Sequence, residues 1–190
     1  MIMKKIIMLA VAMCMAVSIS AQHRVGSISI IPKVGFNLAN LAGDVNGNSI
    51  KFGMAGGADA MYQLSDLVGL SGGLMLSMQG CELEGDNSFS LLEINIPLLA
   101  NFYVTKNFAL KVGLQPGIIA SAKSHSGNNT ATVTSSCQTI ELSLPIGASY
   151  EYKDFVFDAR YNLGLSKTNK GNGSQRNSVF QITVGYKFDI

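Results

Sequence analysis

The carboxyl-terminal stretch FQITVGYKFDI, residues 180–190, alternates apolar residues with polar residues or glycine along its whole length. Because successive side chains of a β-strand point to opposite faces, this stretch predicts a strand with one apolar and one polar face. Strands of soluble proteins usually have about 5–6 residues, whereas a strand that crosses a membrane needs about 9–11. Phe180, Tyr186 and Phe188 lie near the ends of the apolar face, as in the aromatic girdles of membrane barrels. We therefore predict a membrane-spanning strand, which requires partners because open edges leave backbone groups unpaired in hydrocarbon.

Two more strands of this kind precede it, joined at the tight connection Lys153-Asp154. In residues 140–152 the apolar side chains hold the even-numbered positions, and in residues 155–165 they hold the odd-numbered positions. The same alternation continues towards the amino terminus and marks further strands, at residues 29–40, 51–63, 68–79, 92–104 and 108–122. The pattern predicts an all-β fold, an eight-stranded antiparallel up-and-down transmembrane β-barrel.

The connections between these strands alternate in length. Short turns are predicted at residues 65–66, 106–107 and 153–154. Longer polar segments separate them, at residues 42–49, 82–90, 124–136 and 166–178. Outer-membrane barrels show the same alternation, with short periplasmic turns and longer extracellular loops. Both ends of the barrel domain should then face the periplasm.

The amino terminus predicts export. Lys4 and Lys5 precede an apolar run over residues 6–19, and Ser20-Ala21 offers a small-residue cleavage site. This layout is typical of a secretory signal peptide. We therefore expect a signal peptide over residues 1–21 and one outer-membrane barrel domain over residues 22–190. Localisation would be the outer membrane of a Gram-negative bacterium, reached through the general secretory pathway. Cys14 raises a lipoprotein alternative, which bulky Met13 disfavours.

Composition excludes several other classes. The chain has 14 basic and 12 acidic residues, and removal of Lys4 and Lys5 makes these numbers equal. A neutral mature chain gives no indication of a nucleic-acid partner. Hydrophobic residues make up 47% of the chain, yet no block of about 20 continuous apolar residues follows the amino terminus. Together with 20 glycines, this composition favours a barrel over a helical membrane protein.

Several motifs resemble a known family. The stretch LEINIPLL at residues 92–99 and the stretch NFALKVGLQPG at residues 107–117 are similar to the PorT-like outer-membrane β-barrel proteins of Bacteroidetes. KVGFN at residues 33–37 and the glycine-containing strand at residues 69–73 are similar to the same family. The resemblance implies the fold and the location. The family's founding member is associated with protein secretion and gliding, so the resemblance also implies a possible accessory role in an envelope machinery.

The inward face is predicted to carry charges of both signs. An eight-stranded barrel has an interior that side chains just fill, and unpaired buried charges are costly. We therefore expect a structural charge network rather than an open channel, with a narrow ion path or ligand site as the alternative. Its candidate members are Lys33, Asp59, Glu93, Lys111, Glu141, Asp158, Arg160 and Lys187.

Catalytic and metal-binding patterns are weak. His23 lies beside the predicted cleavage site, and His125 lies in a predicted external loop without an evident partner carboxylate. Glu82, Glu84 and Asp86 alternate in another loop and could hold a hard cation, but a solvated loop tip explains them equally. We expect no catalytic residues, no cofactor and no metal site.

Two cysteines remain after the predicted cleavage, Cys81 and Cys137. Both lie at the predicted extracellular ends of strands, where export favours oxidation. A disulfide between them requires their α-carbons to approach within about 7 Å, although their strands are not neighbours. A possible disulfide and two unpaired thiols therefore both stay open.

These patterns predict a non-enzymatic outer-membrane barrel with a structural or surface-interaction role. The expected partners are outer-membrane lipid, the barrel-assembly machinery during insertion and other envelope proteins. The alternatives are an accessory component of a secretion or assembly machinery and a narrow pore. A soluble lipocalin-like barrel shares the period of two, but it would place the apolar face inside.

Overall fold

The computed structural model describes residues 24–43, 49–83, 87–126, 129–132, 140–166 and 175–190. These residues form β-strands in an entirely antiparallel sheet. The strands are β1 Ile28–Gly43, β2 Ser49–Ser65, β3 Val68–Leu83, β4 Asn87–Asn95, β5 Leu98–Tyr103, β6 Phe108–Ser126, β7 Asn129–Thr132, β8 Ile140–Tyr152, β9 Phe155–Gly164, β10 Gln175–Tyr186 and β11 Phe188–Asp189.

The sheet closes on itself. Its strands follow the order β10-β9-β8-β6-β4-β3-β2-β1, and β1 also pairs with β10. Segments β4 and β5 both lie between β3 and β6, so together they form one strand position in the wall. Segments β10 and β11 both pair with β1 and form another single position. Segment β7 pairs with the end of β6. Among the described residues the wall therefore has eight positions, which confirms the predicted eight-stranded barrel.

Two of the predicted strands are interrupted. The fourth predicted strand divides at Ile96-Pro97, where proline cannot donate to the ladder, but Gly73 N–H still donates to Pro97 O at 3.0 Å. The carboxyl-terminal stretch is divided into β10 and β11 at Lys187, but both segments keep the same register with β1, so the predicted alternation continues through this point. The Lys187 N–H donates at 2.7 Å to Asp154 O, which continues the pairing of β10 with β9.

The three predicted tight turns lie at one end of the barrel. Both termini of the described barrel also lie at this end. Gly26 N–H donates to Gln63 O at 2.8 Å, near the first turn, and Ile190 N–H donates to Ile28 O at 2.9 Å. At the turn between β8 and β9, Lys153 has a φ of 55°. In outer-membrane barrels short turns face the periplasm, so we call this end the periplasmic end and the opposite one the outer end.

Strands extend into all four segments predicted to be long loops, since β1 ends at Gly43, β2 begins at Ser49 and β10 begins at Gln175. Strand β3 continues to Leu83, which pairs with Asn87 of β4. Strand β6 continues to Ser126, which pairs with Asn129 of β7. The prediction of loops there was wrong for these residues, because a polar sequence can still form a backbone ladder where both faces meet water.

The two faces of the wall differ sharply. Outward side chains are large and apolar, with Val34 70% exposed and Phe52 63% exposed. Inward side chains are mostly polar, and Asn37 and Arg160 are fully buried. This arrangement is the reverse of a soluble barrel and excludes the lipocalin-like alternative. Among the described residues, no helix is long and apolar enough to cross a membrane.

Aromatic side chains border the apolar surface at the periplasmic end. Phe155 and Tyr186 pack edge to face with ring centroids 5.4 Å apart, and Tyr186 and Phe188 lie 4.7 Å apart. Rings with an apolar body and a polar tip suit the boundary between lipid and water. The last strand thus supplies part of an aromatic girdle, as its sequence predicts.

Candidate functional site: the polar interior

Glycines on the inner wall make room for long polar side chains. A β-carbon at Gly147 would lie 2.8 Å from the Cγ atom of Arg160 and closer still to the Ala159 carbonyl. A β-carbon at Gly73 would collide with the carboxylate of Asp59. Because large side chains occupy the space beside small residues, the interior is filled despite its narrow diameter.

The middle of the interior holds the central cluster, which consists of Lys33, Asp59, Lys111, Asp158 and Arg160. Lys33 pairs with Asp59, and Lys111 pairs with Asp158. The Nε atom of Arg160 lies 2.8 Å from Oδ1 of Asp158. All five residues are buried, so their charges lie away from water. Each charge has a close partner of opposite sign, which offsets the cost of burial.

Amide side chains extend this cluster across the interior. Arg160 donates to Oε1 of Gln181 at 3.0 Å, and Gln181 donates to Oδ1 of Asn37 at 2.9 Å. Asn37 in turn donates to Oγ of Ser77 at 2.9 Å. The chain of bonds runs from β9 through β10 and β1 to β3, and it therefore follows the inner wall over half of the barrel.

The periplasmic end of the interior is organised around Glu151. Tyr103 donates its hydroxyl hydrogen to Oε1 of Glu151 at 2.8 Å, and Lys187 Nζ lies 3.1 Å from Oε2. The side chain of Asn107 donates to the Glu151 carbonyl at 2.7 Å. Lys187 therefore pairs with Glu151 and not with Asp158 of the central cluster.

The outer part of the interior differs in composition. Oε2 of Glu93 accepts from Gln79 at 2.9 Å, and Oε1 accepts from Asn177 at 3.2 Å. The carboxyl group of Glu141 lies within hydrogen-bonding reach of Glu93. A small cavity adjoins these groups, and Asn162 also lines it. Acids and amides thus dominate this level.

The structure places all eight predicted network residues on the inner side of the wall. Lys33, Asp59, Glu93, Lys111, Glu141, Asp158 and Arg160 are buried. Lys187 lies at the periplasmic mouth with its side chain 12% exposed. The network divides into three levels, so these residues do not form one site.

Sequence reasoning missed the amides that connect the charges. Asn37, Gln79, Asn177 and Gln181 are all buried and hydrogen-bonded. Asn37, Gln79 and Gln181 hold inward positions in the two-residue period, which is a usable signal, whereas Asn177 lies in a segment predicted to be a loop. Tyr103, the hydroxyl partner of Glu151, is a further inward residue outside the predicted network.

Other predicted sites fall partly outside the description. Cys81 lies in β3, but its side chain and the whole of Cys137 lie outside the described residues, so their possible disulfide stays a prediction. His23 and the side chain of His125 lie outside as well. Among the described residues, no group of three or more His, Cys, Asp or Glu side chains could hold a metal ion. The side chains of Glu82, Glu84 and Asp86, which could hold a hard cation, also lie outside the description.

Comparison with known proteins agrees with this geometry. A family model described as an outer membrane protein beta-barrel domain matches residues 20–170. No curated protein matches the chain.

Two solved structures show similar barrels. Neisserial surface protein A has 18% identity and a TM-score of 0.61, with 84% of this chain and 97% of that chain covered. Ail, the attachment invasion locus protein of Yersinia pestis, has 17% identity and a TM-score of 0.53, with 86% and 99% covered. At these identities the similarity concerns the fold.

Proposed function

Since the chain belongs to the family of outer membrane protein beta-barrel domains, we propose that it is a non-enzymatic surface-interaction protein with a filled interior. In this proposal the lipid-facing wall anchors the protein in the outer membrane. The outer ends of the strands present its binding surface, and the interior holds the wall together without conducting ions or binding substrate.

The observation that carries this proposal is the filled lumen, in which Asn177 of β10 donates at 3.2 Å to Glu93 of β4 on the opposite side of the barrel. Arg160 is fully buried, and its bonds lead through Gln181 to Asn37, which is also fully buried. A water-filled pore needs a continuous polar path with room for hydrated ions, and this level leaves none in the described interior. Because a filled interior does not serve as a pore, we place the binding function on the surfaces beyond the lipid.

The outer ends support a surface role. Strand β6 has 19 residues, about twice the length that a membrane crossing requires. Its outer part continues to Ser126 and pairs with both β4 and β7. These paired strands form an outer rim beyond the apolar surface, and residues that bind partners are commonly carried at the ends of such a scaffold.

Planar bilayer recordings test the filled interior. Protein is inserted into the bilayer, and insertion is verified by different migration of boiled and unboiled samples on denaturing gels, since closed barrels resist detergent. We expect no conductance steps at protein concentrations at which a general porin conducts. Reproducible steps of uniform size would overturn the filled interior and favour the narrow pore.

Site-specific photo-cross-linking in cells tests where partners bind. A cross-linking amino acid is placed at Ser126 or Thr130 on the outer rim and, as matched positions, at Asp66 or Lys106 in the periplasmic turns. We expect partners to be captured from the rim positions. Capture confined to the turns would contradict a surface role.

An accessory role in envelope secretion or assembly is the second candidate. It is supported by the resemblance to PorT-like proteins of Bacteroidetes and by a cleft of about 620 Å³ at the periplasmic end. Arg24, Lys187 and Asp189 line this cleft. Cross-links to envelope proteins from the turn positions alone would favour this candidate over the first.

The proposal includes export through the general secretory pathway and insertion by the barrel-assembly machinery. The basic, apolar and small-residue pattern of residues 1–21 supports cleavage of a signal peptide. Amino-terminal sequencing of membrane-extracted protein should begin at Gln22. Depletion of the assembly machinery should remove the heat-modifiable form, and its persistence would contradict this route.

A further inference from the structure

Two acidic side chains meet in the outer part of the interior, beside a glycine of strand β6. Glu93 lies on β4 and Glu141 lies on β8, with β6 between them. Gly117 of β6 pairs with both Asn95 and Glu141. A β-carbon at Gly117 would lie 3.6 Å from Oε2 of Glu93 and would collide with Oδ1 of Asn95. A side chain at this position would therefore displace Asn95 and contact Glu93, so glycine keeps this part of the interior open.

Glu93 has no ion pair with any described basic residue. It is 3% exposed, and its carboxylate accepts from the amides of Gln79 and Asn177. The ion pairs of the described interior lie at other levels, with the central cluster or Glu151. Neutral amide donors only partly compensate a buried carboxylate, and a second carboxyl group beside it increases the cost.

Two buried amide oxygens face the same space. Oδ1 of Asn162 and Oδ1 of Asn177 have no hydrogen-bond partner among the described residues. Asn162 is 4% exposed and Asn177 is 5% exposed. Both residues line the cavity beside Glu93 and Glu141, which has room for one water-sized particle. Buried acceptors without donors are rare in native proteins, so these oxygens are available to accept from a water molecule or to bind a cation.

We propose that Glu93, Glu141, Asn162 and Asn177 form an outer acidic site that binds one calcium ion. Calcium prefers carboxylate and amide carbonyl oxygens and tolerates flexible coordination that water completes. Two carboxylates balance its charge, and the two amide oxygens supply the acceptors that now lack donors. Four positions of the wall contribute, through β4, β8, β9 and β10. The ion would therefore tie these strands together below the outer rim.

Calcium titration of the folded barrel tests this site. The protein is refolded from inclusion bodies into detergent micelles, which removes lipopolysaccharide, and is then freed of metal with a chelator. Isothermal titration calorimetry should give one calcium per chain, and the thermal unfolding midpoint should rise with calcium because the ion binds only the folded state. Magnesium should raise it less, since its strict octahedral geometry suits this set of oxygens poorly.

Variants locate the binding. Glu93→Gln and Glu141→Gln should each weaken calcium binding by at least about tenfold, because affinity depends on the number of charged ligands. Asn162→Leu keeps the branched shape of the side chain, removes one oxygen and should weaken binding less. The matched control is Asp66→Asn in an exposed periplasmic turn, which should bind as the parent does.

Several results would overturn the proposal. These are the absence of calcium binding by the parent protein and binding that both glutamine variants retain. If the glutamine variants do not fold, Asn162→Leu decides, and unchanged affinity in it would contradict the site.

Discussion

The central cluster and the outer acidic site occupy the same lumen but balance their charges differently. In the central cluster each carboxylate lies against a lysine or arginine, as Asp158 does against Lys111 and Arg160. In the outer acidic site Glu93 has only amide donors and a second carboxyl group beside it. The difference indicates that the first region is complete as a structural plug, whereas the second requires a further positive partner. Stability measurements can separate these two roles.

The largest expected effect is the loss of the central carboxylate. Asp158→Asn leaves the charges of Lys111 and Arg160 without their partner, and such uncompensated buried charges cost about 3–5 kcal/mol. We expect the free energy of unfolding in lipid vesicles, measured by urea titration, to fall by this amount. An equal fall in Glu151→Gln, whose partner lies at the more exposed periplasmic mouth, would show that burial of the central cluster has no special weight.

The next effect tests the wall that encloses both regions. Leu144 lies near the middle of β8 on the outward face, so Leu144→Arg should cost about 2–4 kcal/mol in vesicles. Its neighbour Ser143 points inward and lines the cavity of the outer acidic site. Ser143→Arg should project into the barrel, so its effect depends on the room in this small cavity and on pairing of the guanidinium with the acids there. A negligible cost of Leu144→Arg would contradict this assignment of faces.

A nitroxide scan over residues 140–152 checks the same faces without changing charge. Labels at even positions should be quenched by a lipid-soluble relaxation agent, and labels at odd positions should be protected from it. Loss of the two-residue period would contradict the membrane barrel.

The faces could be predicted from sequence, whereas the pairings inside could not. Alternation in residues 140–152 is a local property and determines which side chains point inward. The pairing of Lys111 with Asp158 depends on how far strands β6, β8 and β9 are staggered around the barrel, and a period of two does not contain that stagger. The same reason explains why Lys187 meets Glu151 and not Asp158. The amide partners of Glu93 could not be predicted from sequence, because an inward amide on its own indicates no particular partner.

A smaller effect is expected at the periplasmic mouth. Tyr103→Phe removes the hydroxyl that donates to Glu151 at 2.8 Å but keeps the ring, so it should cost about 1–2 kcal/mol. Lys187 still pairs with Glu151 in this variant, which limits the loss. Urea titration of the variant beside its parent measures the difference. A cost as large as that of Asp158→Asn would show that the mouth and the centre form one cooperative network.

The smallest effect, and the one that separates the two regions most directly, is that of Glu93→Gln in the absence of calcium. The substitution removes a buried charge whose neighbours are amides and a second carboxyl group, so repulsion and desolvation fall while the side chain can still form hydrogen bonds. We expect the free energy of unfolding in chelator to stay the same or rise, by no more than about 1 kcal/mol, the scale of one hydrogen bond. Asp158→Asn under identical conditions provides the contrast, with a change of opposite sign and several times the size. A loss comparable to that of Asp158→Asn would mean that Glu93 already has a strong positive partner, and the distinction between the central cluster and the outer acidic site would then be wrong.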